Sequence, residues 1–235
     1  MGRAFEFRRA RKEKRWGHMA KTFVKLGKEI AIAVKQGGPD PTMNARLRVA
    51  MQNAKGANMP KDRIESAIKR ASSKEEQDFQ EVIYEGYGPH GIAIVVESAT
   101  DNPTRTVANI RMYFNRSEGS LGKTGSLEFL FDRIGIFKFA KEGINLEDIE
   151  LDLIDAGAEE IFVEDNEILV YTEFMAFGVM QKLLEEKGID VISAELHRLP
   201  KNTIELNETQ QQEINILIEK FEEDDDVQAV FHNMG

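Results

Sequence analysis

The chain has 235 residues, with 31 Lys/Arg, 41 Asp/Glu, four His and no Cys. Without cysteine there is no disulfide framework, no thiolate nucleophile and no cysteine-based zinc or iron–sulfur site. No apolar run approaches the roughly 18–20 residues of a membrane span.

The net charge of −10 hides a division. Residues 1–74 carry 19 Lys/Arg against 6 Asp/Glu, and residues 75–235 carry 12 against 35. A cationic module joined to an anionic body points to contact with a polyanion through the cationic part. Residues 1–19 read as a basic arm: Arg8, Arg9, Arg11, Lys12, Lys14 and Arg15 crowd together ahead of Trp16. Repulsion among these charges predicts a segment that orders on a polyanion. Trp16 reads as an anchor against the helices that follow, with stacking on a base as the alternative. The start lacks the apolar core and cleavage site of a secretory signal, and Glu6 stands where a myristoylation motif needs Ser or Thr.

Residues 20–36 are expected as an amphipathic helix. Phe23, Leu26, Ile30, Ala33 and Val34 fall on one side, and Lys21, Lys25, Lys28 and Lys35 on the other, at about 100° per residue. Gly37-Gly38 ends it. Asp40-Pro41 reads as the N-cap and first residue of a second helix. That helix runs to about Lys55, with Met43, Leu47, Ala50, Met51 and Ala54 inward and Arg46 and Arg48 outside. After GANM, a third helix from Pro60 buries Ile64, Ala67, Ile68 and Ala71 and exposes Lys61, Arg63, Lys69 and Arg70. Three short amphipathic helices with basic outer faces predict a small cationic bundle.

The polar stretch 72–80 changes the sign of the charge and marks a domain boundary. Beyond it strands and helices mix. Ile92–Ser98 is an apolar, β-branched run expected of a central strand. Asn102-Pro103 opens a helix with Val107, Ile110 and Phe114 inward. Ser126–Phe131 and Ile136–Ala140 read as strands, and Leu146–Ala156 as a helix closed by Gly157. Glu160–Val163 and Glu167–Tyr171 read as a hairpin about Asp165-Asn166. Phe174–Lys187 is expected as a helix, Val191–Leu199 as a strand, Glu208–Phe221 as a helix and Val227–Phe231 as a last strand. The order over 134–199 is that of a split βαβ unit of ferredoxin-like type. The expected fold is α+β and multidomain. A helical bundle (1–76) precedes two ferredoxin-like α+β domains, with 133–202 inserted into a domain made of 77–132 and 203–235.

Several motifs invite chemistry. SEGSLGKTGS (117–126) resembles a phosphate loop, but Ser117 replaces the leading glycine and the helix-to-strand context is reversed; it reads as a connection. EGYGPHG (85–91) reads as a tight turn between strands, with an RNA-contacting loop as the lesser alternative. His18, His90, His197 and His232 show no metal-ligand spacing. EEDDDV (222–227) reads as a solvated helix end. Arg105 sits in the first turn of a helix, where the dipole disfavours a cation. It therefore suggests a partner anion or an inter-domain carboxylate, and Arg111 and Arg116 follow on the same element. No catalytic constellation emerges from spacing.

LRVAMQNAKGANMPKDRIESAIKR, YEGYGPHGIAIVVESATDNPTRTVANIR, GSLGKTGSLEFLF and DDDVQAVFHN together resemble the YebC/PmpR family from about residue 20 onward. The resemblance implies a three-helix N-terminal domain, two α+β domains and a cytoplasmic, non-enzymatic regulator. Members are described as probable DNA-binding transcriptional regulators, and others resemble ribosome-associated translation activators. Many members open with a Gly-His-Ser-Lys-Trp type sequence, which this chain replaces with FEFRRARKEKRWGHM.

The expectation is therefore a nucleic-acid-binding regulator of gene expression with no cofactor and no metal. It grips phosphates through Arg8, Arg9, Arg11, Lys12, Lys14, Arg15, Lys21, Lys25, Lys28, Arg46, Arg48, Lys55, Lys61, Arg63, Lys69, Arg70 and Arg105. Promoter DNA is the first target and ribosomal RNA the alternative. The acidic domains are expected to face the transcription machinery or the ribosome rather than a membrane. An enzyme with an inter-domain cleft and a protein-interaction scaffold are the rival classes.

Overall fold

A computed structural model describes residues 21–73, 78–164 and 166–235. The chain divides into two compact units, Met1–Phe79 and Gln80–Gly235. The architecture is α+β: among the described residues the first unit holds helices alone, and the second holds two four-stranded antiparallel sheets with their helices.

In the first unit, helix α1 covers 21–37, α2 covers Ala45–Gly56 and α3 covers Lys61–Ala71. Leu26, Ile30, Leu47, Ala50, Ala54, Ile64, Ala67 and Ala71 form their shared core. α1 departs from the simple two-faced pattern. Ile30, Ala31, Ile32, Ala33 and Val34 are all buried, and five consecutive residues at about 100° each cover the whole circumference.

The entry to α2 also differs from expectation. Asn44, not Asp40, is the N-cap, and its side chain accepts from the Leu47 N–H at 3.0 Å. The Asn44 amide donates to Ala33 O at 2.7 Å and Gly38 O at 2.8 Å. One buried side chain thus starts α2 and ties it to the end of α1. Asp40 instead organises the preceding turn, accepting from the Thr42 N–H and hydroxyl at 2.9 and 2.7 Å; both bonds favour its ionised form and lower its pKa. Met43, expected inward, precedes the helix and is 82% exposed.

α2 ends in a Schellman arrangement. The Met59 N–H donates to Ala54 O, and the Asn58 N–H to Lys55 O, with Asn58 in the left-handed region at φ 59. Asparagine tolerates this conformation better than most residues. The turn before α3 therefore rests on Asn58 rather than on Gly56.

In the second unit, β1 (Gln80–Tyr87) and β2 (Ala93–Thr100) form a hairpin. Helix α4 (Pro103–Arg116) and the short β3 (Ser120–Leu121) follow. After the inserted segment, α7 (Glu208–Glu222) and β8 (Val227–His232) complete a sheet ordered β3-β1-β2-β8. α4 and α7 supply Ile110, Phe114, Ile214, Leu217 and Phe221 to one face, where Phe114 and Phe221 have ring centroids 4.9 Å apart. Leu127, Phe131 and Phe231 cover Ala93 and Val95 on the other face. Burial on both sides explains the nearly unbroken apolar run of β2.

The inserted segment is β4 (Phe131–Ala140), α5 (Leu146–Asp155), β5 (Ala158–Glu164), β6 (Glu167–Glu173), α6 (Phe177–Glu186) and β7 (Val191–Pro200). Its order, β5-β6-β4-β7 with all neighbours antiparallel, is that of the split βαβ unit. Residues 126–130, expected as a strand, form a turn and the short 3₁₀ segment Glu128–Leu130. There the buried Glu85 carboxylate accepts from the Leu127 N–H at 2.7 Å. β4 is one continuous strand whose start, at Phe131-Asp132-Arg133, pairs with β7. A 3₁₀ turn, Phe174–Ala176, precedes α6. The two sheets are joined by Arg198 Nε, buried on β7, bonding to Glu97 Oε1 on β2 at 2.8 Å. The His197 ring also packs edge-on to Phe231 at 4.8 Å.

Candidate nucleic-acid interface

Between residues 21 and 73 the helical unit carries 11 Lys/Arg and 4 Asp/Glu. Each apolar stripe turned into the core leaves the basic residues of α2 and α3 outside. Arg46, Lys55, Lys61, Arg63, Lys69 and Arg70 are exposed. Lys61 approaches Glu65 at 3.7 Å along its own helix, an exposed contact of small energetic weight. Lys55, Arg63, Lys69 and Arg70 have no ion pair among the described residues.

Arg63 and Arg70 lie seven residues apart on α3, within about 20° of each other around the helix axis and about 10 Å apart along it. The Arg63 guanidinium sits 6.0 Å from the Phe23 ring centroid, a contact that steers its stem without using up its charge. Arg70 Nε reaches Ser66 O at 3.4 Å. Part of the cationic pattern has a local cause: Lys55 closes α2, and Lys69 and Arg70 close α3, where the helix dipole favours positive charge.

The remaining predicted cations divide. Lys21, Lys25 and Lys28 are half-buried rather than lying on an open face. The Lys28 ammonium lies 5.3 Å from the Phe79 ring centroid, and Lys35 pairs with Asp78 at 3.0 Å. Half-buried Arg48 donates to Pro41 O at 2.8 Å and so holds the turn ahead of α2; Arg46 donates to Gln36 Oε1 at 2.7 Å. Arg8, Arg9, Arg11, Lys12, Lys14, Arg15, Trp16 and His18 lie outside the described residues.

Arg105 does not belong to this cationic set. It lies in the second unit, and its guanidinium bonds to Asp226 at 2.6 Å and Asp101 at 2.8 Å. Both carboxylates raise its pKa. The cation at the start of α4 is thus answered by a carboxylate 121 residues away in sequence but in the same sheet domain, rather than by the partner anion or inter-domain carboxylate that its position suggested.

That contact belongs to a larger network. Asp226 is 5% exposed and also accepts from the hydroxyls of Thr106 at 2.8 Å and Thr100 at 3.2 Å. Asp224 accepts from Asn109 at 3.2 Å and the Tyr113 hydroxyl at 3.1 Å. Burial first, and the Asp224 charge second, push the Tyr113 phenol up to about 12. The acidic tract 222–227, read from sequence as a solvated helix end, therefore turns two of its carboxylates onto α4. The sequence signal was its match with ATDNPTRTVANIR, whose hydroxyls, amide and arginine complement carboxylates.

The glycine-rich segments serve close backbone approach. A Cβ on Gly86 would sit 2.5 Å from Ser120 O, and one on Gly119 would sit 2.6 Å from Tyr87 O. His90, at φ 60, contacts Glu213 of α7 at 2.6 Å, an acid that no local pattern revealed. Among the described residues no group of three His, Asp or Glu could hold a metal ion. Among the described residues no helix is long and apolar enough to cross a membrane.

A basic three-helix unit followed by two linked antiparallel sheets with their helices defines a multidomain α+β protein. The chain belongs to the TACO1/YebC family. Residues 3–74 match the description "TACO1/YebC protein N-terminal domain", and residues 79–234 match "TACO1/YebC second and third domain". A protein of Cytophaga hutchinsonii is 61% identical over 235 residues, covering 100% of this chain and 99% of the relative. A protein of Parabacteroides distasonis is 59% identical, covering 100% and 97%. Both are called "Probable transcriptional regulatory protein". The crystal structure of a conserved hypothetical protein from Aquifex aeolicus superposes with a TM-score of 0.79 at 36% identity, covering 92% of this chain and 90% of that one.

Proposed function

We propose that this chain is a non-enzymatic regulator of gene expression that binds nucleic acid through its helical unit. The observation that carries the reading is the set of exposed cations on α2 and α3 that lack ion pairs among the described residues: Lys55, Arg63, Lys69 and Arg70. Such groups release counterions when they meet phosphates, and this supplies affinity with little sequence information. In the same reading the cations of the N-terminal arm, Arg8 to Arg15, also meet the polymer. In this reading residues 1–76 hold the polymer, and the acidic body made of 77–132 with 203–235 and of 133–202 faces protein. No cofactor takes part, and the protein works in the cytoplasm.

The names of the relatives favour DNA and transcription. Ribosomal RNA and translation are the second reading, favoured by the body itself. Its 33 Asp/Glu against 12 Lys/Arg would be repelled along an extended duplex but not beside a nucleoprotein surface carrying basic proteins.

The test is crosslinking in cells followed by sequencing of both bound DNA and bound RNA. Discrete promoter fragments assign transcription, and ribosomal RNA without promoter fragments assigns translation. Recovery of neither above background overturns nucleic-acid binding altogether.

A further inference from the structure

The outer side of the inserted domain carries apolar residues that no element of the second unit covers. Leu151 on α5 is 75% exposed, Ile154 on the same helix 51%, and Val179 on α6 58%. α5 and α6 lie side by side. Between them runs a shallow groove of about 300 Å³, lined by Asp152, Asp155, Ala156, Val179, Lys182, Leu183 and Glu186. Their inward residues Leu153, Met180 and Leu184 are fully buried in the domain core. Val179 and Leu183 line the groove, and Leu151, one helical turn before the lining residue Asp155, flanks it; exposed apolar residues beside a polar rim are surplus to folding and are the usual mark of a binding surface.

The rim identifies the occupant. α5 reads LEDIELDLID, five carboxylates and no cation. Asp152 is paired with Lys187, and Lys182 with Glu186. Glu147, Asp148, Glu150 and Asp155 have no ion pair among the described residues. An apolar strip bordered by unanswered carboxylates complements a helix with apolar residues on one face and Lys or Arg on its flanks.

We infer that the α5–α6 groove is a docking site for a basic amphipathic helix of a protein partner. The partner's apolar face lies over Leu151, Val179 and Leu183, and its cations face the α5 carboxylates. The inference also gives the acidic body a role beside a polyanion, since proteins bound to nucleic acid are themselves basic on their exposed segments. It uses no residue of the proposed nucleic-acid surface, so either reading can fail without the other.

The test uses the full-length protein and a fluorescein-labelled amidated peptide of leucine and lysine, roughly 18 residues long. Its leucines are spaced i, i+3, i+4 and i+7 to make one apolar helix face. A scrambled isomer of the same composition is the control. Binding is read by fluorescence anisotropy at physiological salt. The amphipathic peptide is expected to bind at least about tenfold more tightly than the isomer. Leu151→Glu combined with Val179→Glu is expected to weaken it by about tenfold or more, although the substitutions add negative charge. Both side chains are exposed, so the thermal transition should stay in place. Arg63→Gln with Arg70→Gln should leave peptide affinity unchanged.

Equal binding of the scrambled isomer, or unchanged or tighter binding by the Glu variant, would reduce the effect to bulk charge attraction and overturn the proposal. A concentration-dependent dimer in sedimentation, lost in the same variant, would assign the groove to a second copy of this chain and overturn it equally.

Discussion

Neutralising Arg63 and Arg70 together is the sharpest perturbation of the proposed nucleic-acid surface. The two guanidinium groups project from nearly the same line along α3, with neither held by a carboxylate among the described residues. Their axial separation of about 10 Å matches about three steps of a strand at roughly 3.4 Å per step, so both can reach phosphates of one strand. Each phosphate contact contributes about 0.9 to the slope of log affinity against log salt on a duplex, and about 0.7 on a single strand. Arg63→Gln/Arg70→Gln should therefore flatten the slope by about 1.8 on a duplex and about 1.4 on single-stranded RNA. Extrapolated from molar salt to physiological ionic strength, those slopes correspond to about thirtyfold and about fifteenfold weaker binding.

The stability cost should be small. Arg70 loses a helix-end interaction of about 0.3–1 kcal/mol, and Arg63 an exposed cation–π contact of about 0.5–1 kcal/mol. The assay is fluorescence anisotropy with a labelled duplex and a labelled RNA across a salt series, with a circular-dichroism melt on each variant. Equal salt slopes for the parent and a folded variant would show that α3 makes no phosphate contact, and the reasoning would fail at its central step.

Three further outcomes follow from the second unit. Asp226→Ala removes a buried carboxylate that serves Arg105, Thr106 and Thr100. It should cost about 3 kcal/mol in urea unfolding, and a loss below about 0.5 kcal/mol would show that the network is dispensable. Tyr113, pushed up to about 12, should titrate well above the ordinary phenol value of about 10. A raised phenol pKa means that this stability is fully present below the ordinary value of about 10 and is lost as pH rises through the folded value. Ultraviolet titration should show Asp224→Ala shifting the late transition downward; an unmoved curve would remove Asp224 as a cause. Gly86→Ala places a Cβ 2.5 Å from a backbone oxygen and 2.8 Å from the Phe114 ring, so separation of β1 from β3 should cost about 1–3 kcal/mol, measurable as a lowered midpoint; wild-type stability would contradict the packing.

The exposed cations of the candidate surface were legible in part. The cations of α2 and α3 fall outside because Leu47, Ala50, Ala54, Ile64, Ala67 and Ala71 must face inward, a consequence that helical periodicity states directly. The α1 lysines were not legible in this way. Periodicity places Lys21, Lys25 and Lys28 opposite Phe23 and Leu26, but it cannot say whether anything closes over that side. Asn58 escaped notice because an αL asparagine looks like any loop residue, while Gly56 beside it carries the stronger local signal. Asn44 escaped because Asp40-Pro41 offers a more conspicuous cap, yet only Asn44 lies within reach of Ala33 O and Gly38 O.

Local order and charge were written in the chain itself. The 19 cations before residue 75 and the 35 carboxylates from residue 75 onward set the electrostatic character of the two parts whatever their packing, and side-chain periods of 3.6 and 2 set most elements. Which charges remain available was decided only in three dimensions. Arg105 and Asp226, read separately, are a helix-start cation and a member of an acidic tail; folded, they stand 2.6 Å apart. A hydrophobic period reports which face of an element leaves water, whereas an ion pair depends on what another element brings to that face. Sequence distance carries no information about that encounter.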